Sequence, residues 1–126
     1  MSEKKETVVV LGASDKTERY SNQAQRLLSE YGHEVIPVHP ALKKIEGLVV
    51  VPNLAAISND TKIDTLTLYV SAAISANLSA PIIQLHPGRV IFNPGTENPE
   101  LMQSLLAEGI PCEEACTLVL LRTGQF

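Results

Sequence analysis

The chain contains no tryptophan, and its aromatic residues are only three tyrosines and two phenylalanines. So few rings argue against a stacking platform for single-stranded nucleic acid. Basic residues are also scarce, ten Lys and Arg against fourteen Asp and Glu, for a net charge of −4. Nucleic-acid binding through bulk electrostatics needs clustered cations, so that class is disfavoured. The only cysteines, Cys112 and Cys116, do not make a disulfide scaffold. Without a matching histidine cluster they are too few for a structural zinc site. No apolar run approaches the ~20 residues of a membrane span. The opening Met1–Glu6 is polar and charged, without the apolar segment of a secretion signal. A cytoplasmic protein is the resulting expectation.

No repeat, low-complexity tract or linker is visible, and 126 residues suit one domain spanning 1–126. A hydrophobic content of 44% is enough for one core. Strands and helices alternate along the chain. Thr7–Leu11 is a continuous apolar run, as expected of a central strand covered on both faces. Ser21 reads as the N-cap of a helix whose Ala24, Leu27, Leu28 and Tyr31 share a face, with Gly32 closing it. Glu34–Val38 reads as a second strand stopped by Pro40, Thr65–Val70 as a third and Arg89–Phe92 as a fourth. Gly47–Val51 is a candidate minor strand and Leu54–Ile57 a one-turn helix. Ser71–Leu85 reads as a broken helix, with Pro81 tolerated near the start of a turn. Asn98 caps a further helix with Pro99 at its first position and Gly109 at its end. Ile110–Glu113 reads as a fifth, edge strand. Ala115–Leu121 is helix or strand, packed internally or forming a dimer contact through Leu118–Leu121.

This alternation implies a Rossmann-like, doubly wound α/β fold: a mainly parallel five-stranded sheet with helices on both faces and right-handed crossovers. The most economical strand order is 3-2-1-4-5, which puts the topological switch point beside strand one. Ligands in such sheets bind at the carboxyl ends of the strands near that point. Strand one runs directly into Gly12-Ala13-Ser14 and on to a helix, the local grammar of a nucleotide-phosphate site. The dinucleotide fingerprint G-x-G-x-x-G is incomplete, because only its first glycine is present and Ser14 stands at the second. The link to the helix carries Lys16 and Arg19, cations able to pair with phosphate or simply solvated loop charges. Strand two ends Val38-His39-Pro40 without the carboxylate that usually holds the ribose 2′-hydroxyl of NAD. Lys43-Lys44 follows, either a solubilising pair or a reader of an extra ribose phosphate. NADP and coenzyme A (CoA) both satisfy the second reading.

Blocks through most of the chain narrow this choice. Val9–Ser14, Glu18-Arg19-Tyr20-Ser21-Asn22, Gly32–Pro40, Ile45-Glu46-Gly47, Leu68-Tyr69-Val70-Ser71, Val90–Glu100 and Ala115–Leu121 resemble the small stand-alone CoA-binding proteins of bacteria. Those proteins are similar to the N-terminal domain of the succinyl-CoA synthetase α subunit. The resemblance implies a Rossmann-like domain holding CoA or an acyl-CoA across the strand ends. Gly12, Ala13 and Ser14 would contact the pyrophosphate, with Lys16, Arg19, Tyr20, Ser21 and Asn22 following along the same segment. Val38, His39 and Pro40 would flank the adenosine, with Lys43 or Lys44 at the 3′-phosphate. Tyr69, Val70 and Ser71 would line the adenine or pantetheine side. The chain stops after the first domain of the synthetase, so a phosphohistidine reaction of that kind is not expected.

No catalytic triad or metal spacing emerges from His33, His39 and His86. His33 and His86 read as structural or solvent-facing. Asn93 and the backbone amides around Gly95 lie where a sulfur or acyl end would sit, and Glu97 nearby is equally a helix-capping acid. Cys116 is expected at a helix N-terminus, where the dipole favours a thiolate. It is either a reactive thiol able to form a mixed disulfide with CoA or a small buried hydrophobe. The expected function is therefore a non-catalytic CoA-binding, carrier or sensor module acting on a small-molecule ligand, with a second copy of the chain or another protein as the candidate partner. A small NADP-dependent oxidoreductase and a thiol-redox protein using Cys116 are the alternatives.

Overall fold

The computed structural model describes residues 5–126. Its centre is a five-stranded, wholly parallel sheet. The elements run β1 (Thr7–Leu11), α1 (Tyr20–Glu30), β2 (Glu34–Val38), β3 (Lys44–Ile45), β4 (Leu48–Val49), a 3-10 turn (Leu54–Ala56), β5 (Thr65–Leu68), α2 (Ala72–Ser75), α3 (Ser79–Leu85), β6 (Val90–Phe92), α4 (Pro99–Ala107), β7 (Cys112–Glu114) and α5 (Thr117–Arg122). Alternation along the strands divides the core into two layers. Val9, Leu11, Leu66, Leu68, Val90 and Phe92 pack with Ile82 of α3 and with Leu101 and Leu105 of α4. Val8, Val10 and Val35 pack on the opposite face with Leu28 of α1 and Leu121 of α5. Leu118 is likewise internal, while Val119 of the same run is exposed. No helix among the described residues is long and apolar enough to cross a membrane.

The doubly wound class is as expected, but the strand order is not. The order is β2-β1-β5-β6-β7, which in terms of the five main strands is 2-1-3-4-5 rather than 3-2-1-4-5. The outer edge of β2 is already occupied. Val51 forms an isolated parallel bridge with Val38; its N–H donates to the Pro37 carbonyl (2.9 Å), and its carbonyl accepts from the His39 N–H (3.1 Å). Pro37 also brings β2 no N–H of its own, a property suited to an edge strand and poor for an interior one. The chain therefore returns across β1 and lays β5 on its other side. This moves the switch point to the gap between β1 and β5.

Local departures are smaller. Helix α1 starts at Tyr20 with Arg19 in the cap position, so Ser21 is a buried residue of the first turn rather than the N-cap. Lys44–Ile45 pairs with Leu48–Val49 as a hairpin turning on Glu46-Gly47, both at positive φ. The ambiguous Ala115–Leu121 resolves as helix α5, with Cys116 at its N-cap. Asn98 does cap α4, accepting from the Leu101 N–H at 3.1 Å.

Candidate functional site

The carboxyl ends of β1, β5 and β6 open into a cleft of two contiguous halves. The first is lined by Gly12, Ser14, Arg19, Tyr20, Ser21, Tyr69, Val70, Ser71, Pro94, Gly95 and Thr96. The second is lined by Tyr20, Tyr69, Asn93, Pro94, Cys116, Leu118, Val119 and Arg122. Tyr20, Tyr69 and Pro94 belong to both walls. The cleft thus straddles the switch point.

The first half has the features of an anion site. Gly12 turns the chain at φ +92°, and a Cβ there would stand 2.9 Å from the carbonyl carbon and oxygen of Tyr69. Only glycine lets the two strand ends approach this closely. The turn delivers the chain to the start of α1, which has no side-chain cap and no acidic residue in its first turn. Its leading N–H groups and the positive end of its dipole are therefore left for solvent or a ligand. The exposed Arg19 adds a full charge at the same point. Ser14 Oγ accepts from the Lys16 N–H (3.1 Å), and the Ser14 carbonyl accepts from Asn22 Nδ2 (2.9 Å). These two bonds hold the loop while leaving the Ser14 hydroxyl proton free.

The second half is more apolar and rests on a buried polar network. Asn93 Nδ2 donates to Thr67 Oγ1 (2.6 Å) and to the Leu68 carbonyl (2.8 Å), and its Oδ1 accepts from the Thr117 N–H (2.9 Å). Thr67 and Thr117 share a hydroxyl hydrogen bond of 2.8 Å. The Tyr69 hydroxyl lies beside both threonines but meets hydrogen-bonding geometry with neither, and is buried without a partner. Burial pushes its pKa up to about 12, so it remains a neutral donor across the ordinary pH range. Cys116 and Cys112 are both free thiols. Cys116 lines the cleft, whereas Cys112 packs into the α3–α4 layer, and burial there pushes its pKa up to about 11.

Gly12, Ser14, Arg19, Tyr20, Ser21, Tyr69, Val70, Ser71, Asn93, Gly95 and Cys116 are thus brought together. Ala13, Lys16, Asn22, Val38, His39, Pro40 and Lys43 line neither half. Ala13 is buried and its N–H donates to the Val38 carbonyl at 3.2 Å. Asn22 is fully buried, joining Ser14 to the Glu46 carboxylate (3.0 Å) and accepting from Arg26 Nε (2.8 Å). His39 Nδ1 accepts the N–H groups of Ala41 and Leu42, both at 3.0 Å, and so shapes the turn beyond β2. Lys16, Pro40 and Lys43 are exposed. His33 is structural, with its Nδ1 accepting from the Glu6 N–H at 3.0 Å. Arg122 and Val119 also line the cleft; the Ala115–Leu121 pattern, compatible with helix or strand, defines no face from which that follows.

A family model described as a CoA binding domain matches residues 6–122. The chain belongs to this CoA binding domain family. The crystal structure of an uncharacterized protein superposes with a TM-score of 0.91 at 36% identity, covering 98% of this chain and 100% of that one. A Thermus thermophilus protein gives a TM-score of 0.86 at 27% identity, covering 97% and 91%. The dinucleotide-forming acetyl-coenzyme A synthetase 1 of Ca. Korarchaeum cryptofilum gives a TM-score of 0.74 at 19% identity. That match covers 87% of this chain and 25% of the synthetase, and at this identity shows a common fold alone. No curated protein matches the chain.

Proposed function

We propose that this CoA binding domain holds CoA or an acyl-CoA in the two-part cleft, as a binding, carrier or sensor module without chemistry of its own. The observation that carries this reading is the uncapped start of α1, opening beside Arg19 and the Gly12 turn in a member of a CoA binding domain family. The diphosphate lies on the α1 N–H groups and Arg19, with the Ser14 hydroxyl donating to it. The pantetheine arm passes Tyr69 into the apolar half, towards Cys116. The adenosine extends out of the cleft over the β2 side, past the exposed Pro40, with the exposed Lys43 at the 3′-phosphate.

Calorimetric titration with CoA, acetyl-CoA, NAD, NADP and dephospho-CoA tests the reading. CoA and acetyl-CoA are expected to bind more tightly than either nicotinamide nucleotide, and tighter binding of NADP overturns the assignment. Losing the 3′-phosphate contact at Lys43 is expected to cost about 1.5–3 kcal/mol. Equal affinity for CoA and dephospho-CoA removes Lys43 from the site.

One observation favours a second reading alongside the first: Cys116 lines the apolar half of the same cleft. In that reading its thiolate attacks CoA disulfide, forming a Cys116–CoA mixed disulfide and releasing one CoA thiolate, with no other oxidant required. Intact-mass analysis after incubation with CoA disulfide is expected to show one CoA adduct that Cys116→Ser abolishes. Absence of the adduct sinks this reading and leaves the binding proposal standing.

A further inference from the structure

The first turn of α1 serves two neighbours. Its leading N–H groups have no intrahelical partner and open on the anion half of the cleft. The side chain of Asn22, in the same turn, reaches the β3–β4 hairpin instead. Asn22 is fully buried and both of its amide protons are used, one on the Ser14 carbonyl (2.9 Å) and one on the Glu46 carboxylate (3.0 Å). Three residues further along α1, the buried Gln25 donates from Nε2 to the Ile45 carbonyl at 2.9 Å. The hairpin is thus docked on α1 at two consecutive residues, Ile45 and Glu46. Its first arm is entered at Lys43, whose carbonyl accepts from the Val50 N–H at 3.0 Å.

Glu46 is an unexpected residue for the place it holds. The hairpin turns on Glu46-Gly47 at φ +51° and +81°. Two-residue turns with both φ values positive favour Asn, Asp and Gly, and a longer side chain in left-handed backbone is strained. Among the described residues the other non-glycine residue at positive φ is His86, which ends α3. Strain of this kind persists where the surroundings hold the residue in place. At Glu46 the hold is the hydrogen bond from its carboxylate to a buried amide in the phosphate-binding turn of α1.

We infer that Glu46 is a positioning residue, locking the hairpin to the first turn of α1 and so fixing Lys43 relative to the ligand's diphosphate. The inference rests on the CoA reading above, in which Lys43 meets the 3′-phosphate. The two phosphate-bearing ends of the nucleotide are then held by one rigid unit. The start of α1 takes the diphosphate, and the hairpin secured by that same turn takes the 3′-phosphate. The negative charge of Glu46 opposes a phosphate ligand. Its contribution is therefore the hydrogen bond to Asn22, which a neutral acceptor of the same length also makes.

Dissociation constants for CoA and dephospho-CoA, measured on the full chain and on Glu46→Gly and Glu46→Gln, provide the test. Glycine relieves the left-handed backbone, so that variant is expected to fold while lacking the carboxylate. Glu46→Asn, which tolerates the same backbone but has a shorter side chain, is expected to match it. The readout is the ratio of the two constants, because a loss of stability alone weakens both ligands together. The preference for CoA over dephospho-CoA is expected to fall about threefold to tenfold in Glu46→Gly, the scale of one hydrogen bond. It is expected to be kept in Glu46→Gln. In a Lys43→Ala background, Glu46→Gly is expected to change the ratio no further. An unchanged preference in Glu46→Gly, or an equal loss in Glu46→Gln, overturns the inference while the CoA reading stands. Equal binding of the two ligands by the unaltered protein removes Lys43 from the site and overturns the inference with it. Failure of both ligands to bind refutes the CoA reading itself and, with it, the inference.

Discussion

Gly12→Ala is the most direct test of how the cleft is built. Gly12 sits at φ +92°, and an ideal Cβ there stands 2.9 Å from the Tyr69 carbonyl carbon, its oxygen and Val70 Cγ1. The Val70 methyl is able to rotate away, but the Tyr69 backbone is not. Its N–H is fixed to the Leu11 carbonyl at 2.8 Å, one residue before the glycine. Two costs therefore combine: about 1–2 kcal/mol for an L-residue in left-handed backbone, and about 1–3 kcal/mol for overpacking against a rigid neighbour. The expected loss is about 2–5 kcal/mol. Gly109→Ala isolates the first cost, because Gly109 has φ +78° with nothing within 4 Å of its Cβ position; about 1–2 kcal/mol is expected there. Urea unfolding measures both, as a lower midpoint at unchanged slope. The Gly12 variant is also expected to lose CoA affinity, since relieving the clash moves the Tyr69-Val70 wall, whereas Gly109→Ala keeps it. A Gly12→Ala protein no less stable than Gly109→Ala refutes the close-approach argument.

Asn93→Ala leaves the Thr117 N–H and the Leu68 carbonyl unpaired in the interior; a loss of about 2–5 kcal/mol is expected in the same urea assay. Tyr69→Phe removes a buried hydroxyl that has no partner, so the ligand-free protein is expected to gain up to about 1 kcal/mol, read as a higher Tm. The Tyr69 phenol has its pKa raised from 10.0 to about 12 by burial. Its unfolded form ionises first, so its contribution is intact below pH 10 and is lost as pH rises from 10 towards 12. Tyr69→Phe is expected to flatten that alkaline fall, measured as Tm against pH. Burial likewise raises the Cys112 thiol from 9.0 to about 11. Iodoacetamide at pH 8 is therefore expected to label Cys112 much more slowly in the native than in the urea-unfolded protein, by peptide mapping.

Much of this architecture was legible from local pattern. The apolar Thr7–Leu11 run, the broken segment before Pro87-Gly88 and the Asn98-Pro99 helix start follow from burial period and cap chemistry, and all three appear in the structure. The strand order departs from the most economical arrangement, although a signal for it stands in the chain. Pro37 cannot donate to a ladder, and an interior strand needs donors on both edges. What closes that edge is Val51, thirteen positions beyond its bridge partner Val38, and no local period announces such a pairing. Candidate site residues separated on the same basis. Gly12, Arg19 and Cys116 follow directly from strand-to-helix grammar and line the cleft. Asn22 and His39 are polar residues of the right kind in the right blocks, yet the Asn22 side chain is engaged by Ser14 and Glu46 and that of His39 by the turn that follows it. Sequence shows that a side chain has hydrogen-bonding capacity; it does not show what already uses it.

That distinction decides how the two halves of the cleft divide the work. The turn after β6 satisfies itself: the Thr96 N–H and hydroxyl donate to the Asn93 carbonyl at 2.9 and 2.8 Å, and the Gly95 N–H is taken by Glu97. The Gly12 and Ala13 N–H groups both point at the Val38 carbonyl, at 3.3 and 3.2 Å. The Gly12, Ala13, Gly95 and Thr96 N–H groups are therefore taken, and at these positions the two turns contribute shape. Free donors are concentrated at the start of α1, where no side chain caps the helix. In the other half Asn93 uses its amide groups on Thr67, Leu68 and Thr117, and by pinning the Thr117 N–H it fixes where α5 begins. Cys116, Val119 and Arg122 face the cleft because of that anchor. Asn93 thus governs the apolar half through the placement of α5, and changes there act on ligand discrimination only by way of the fold.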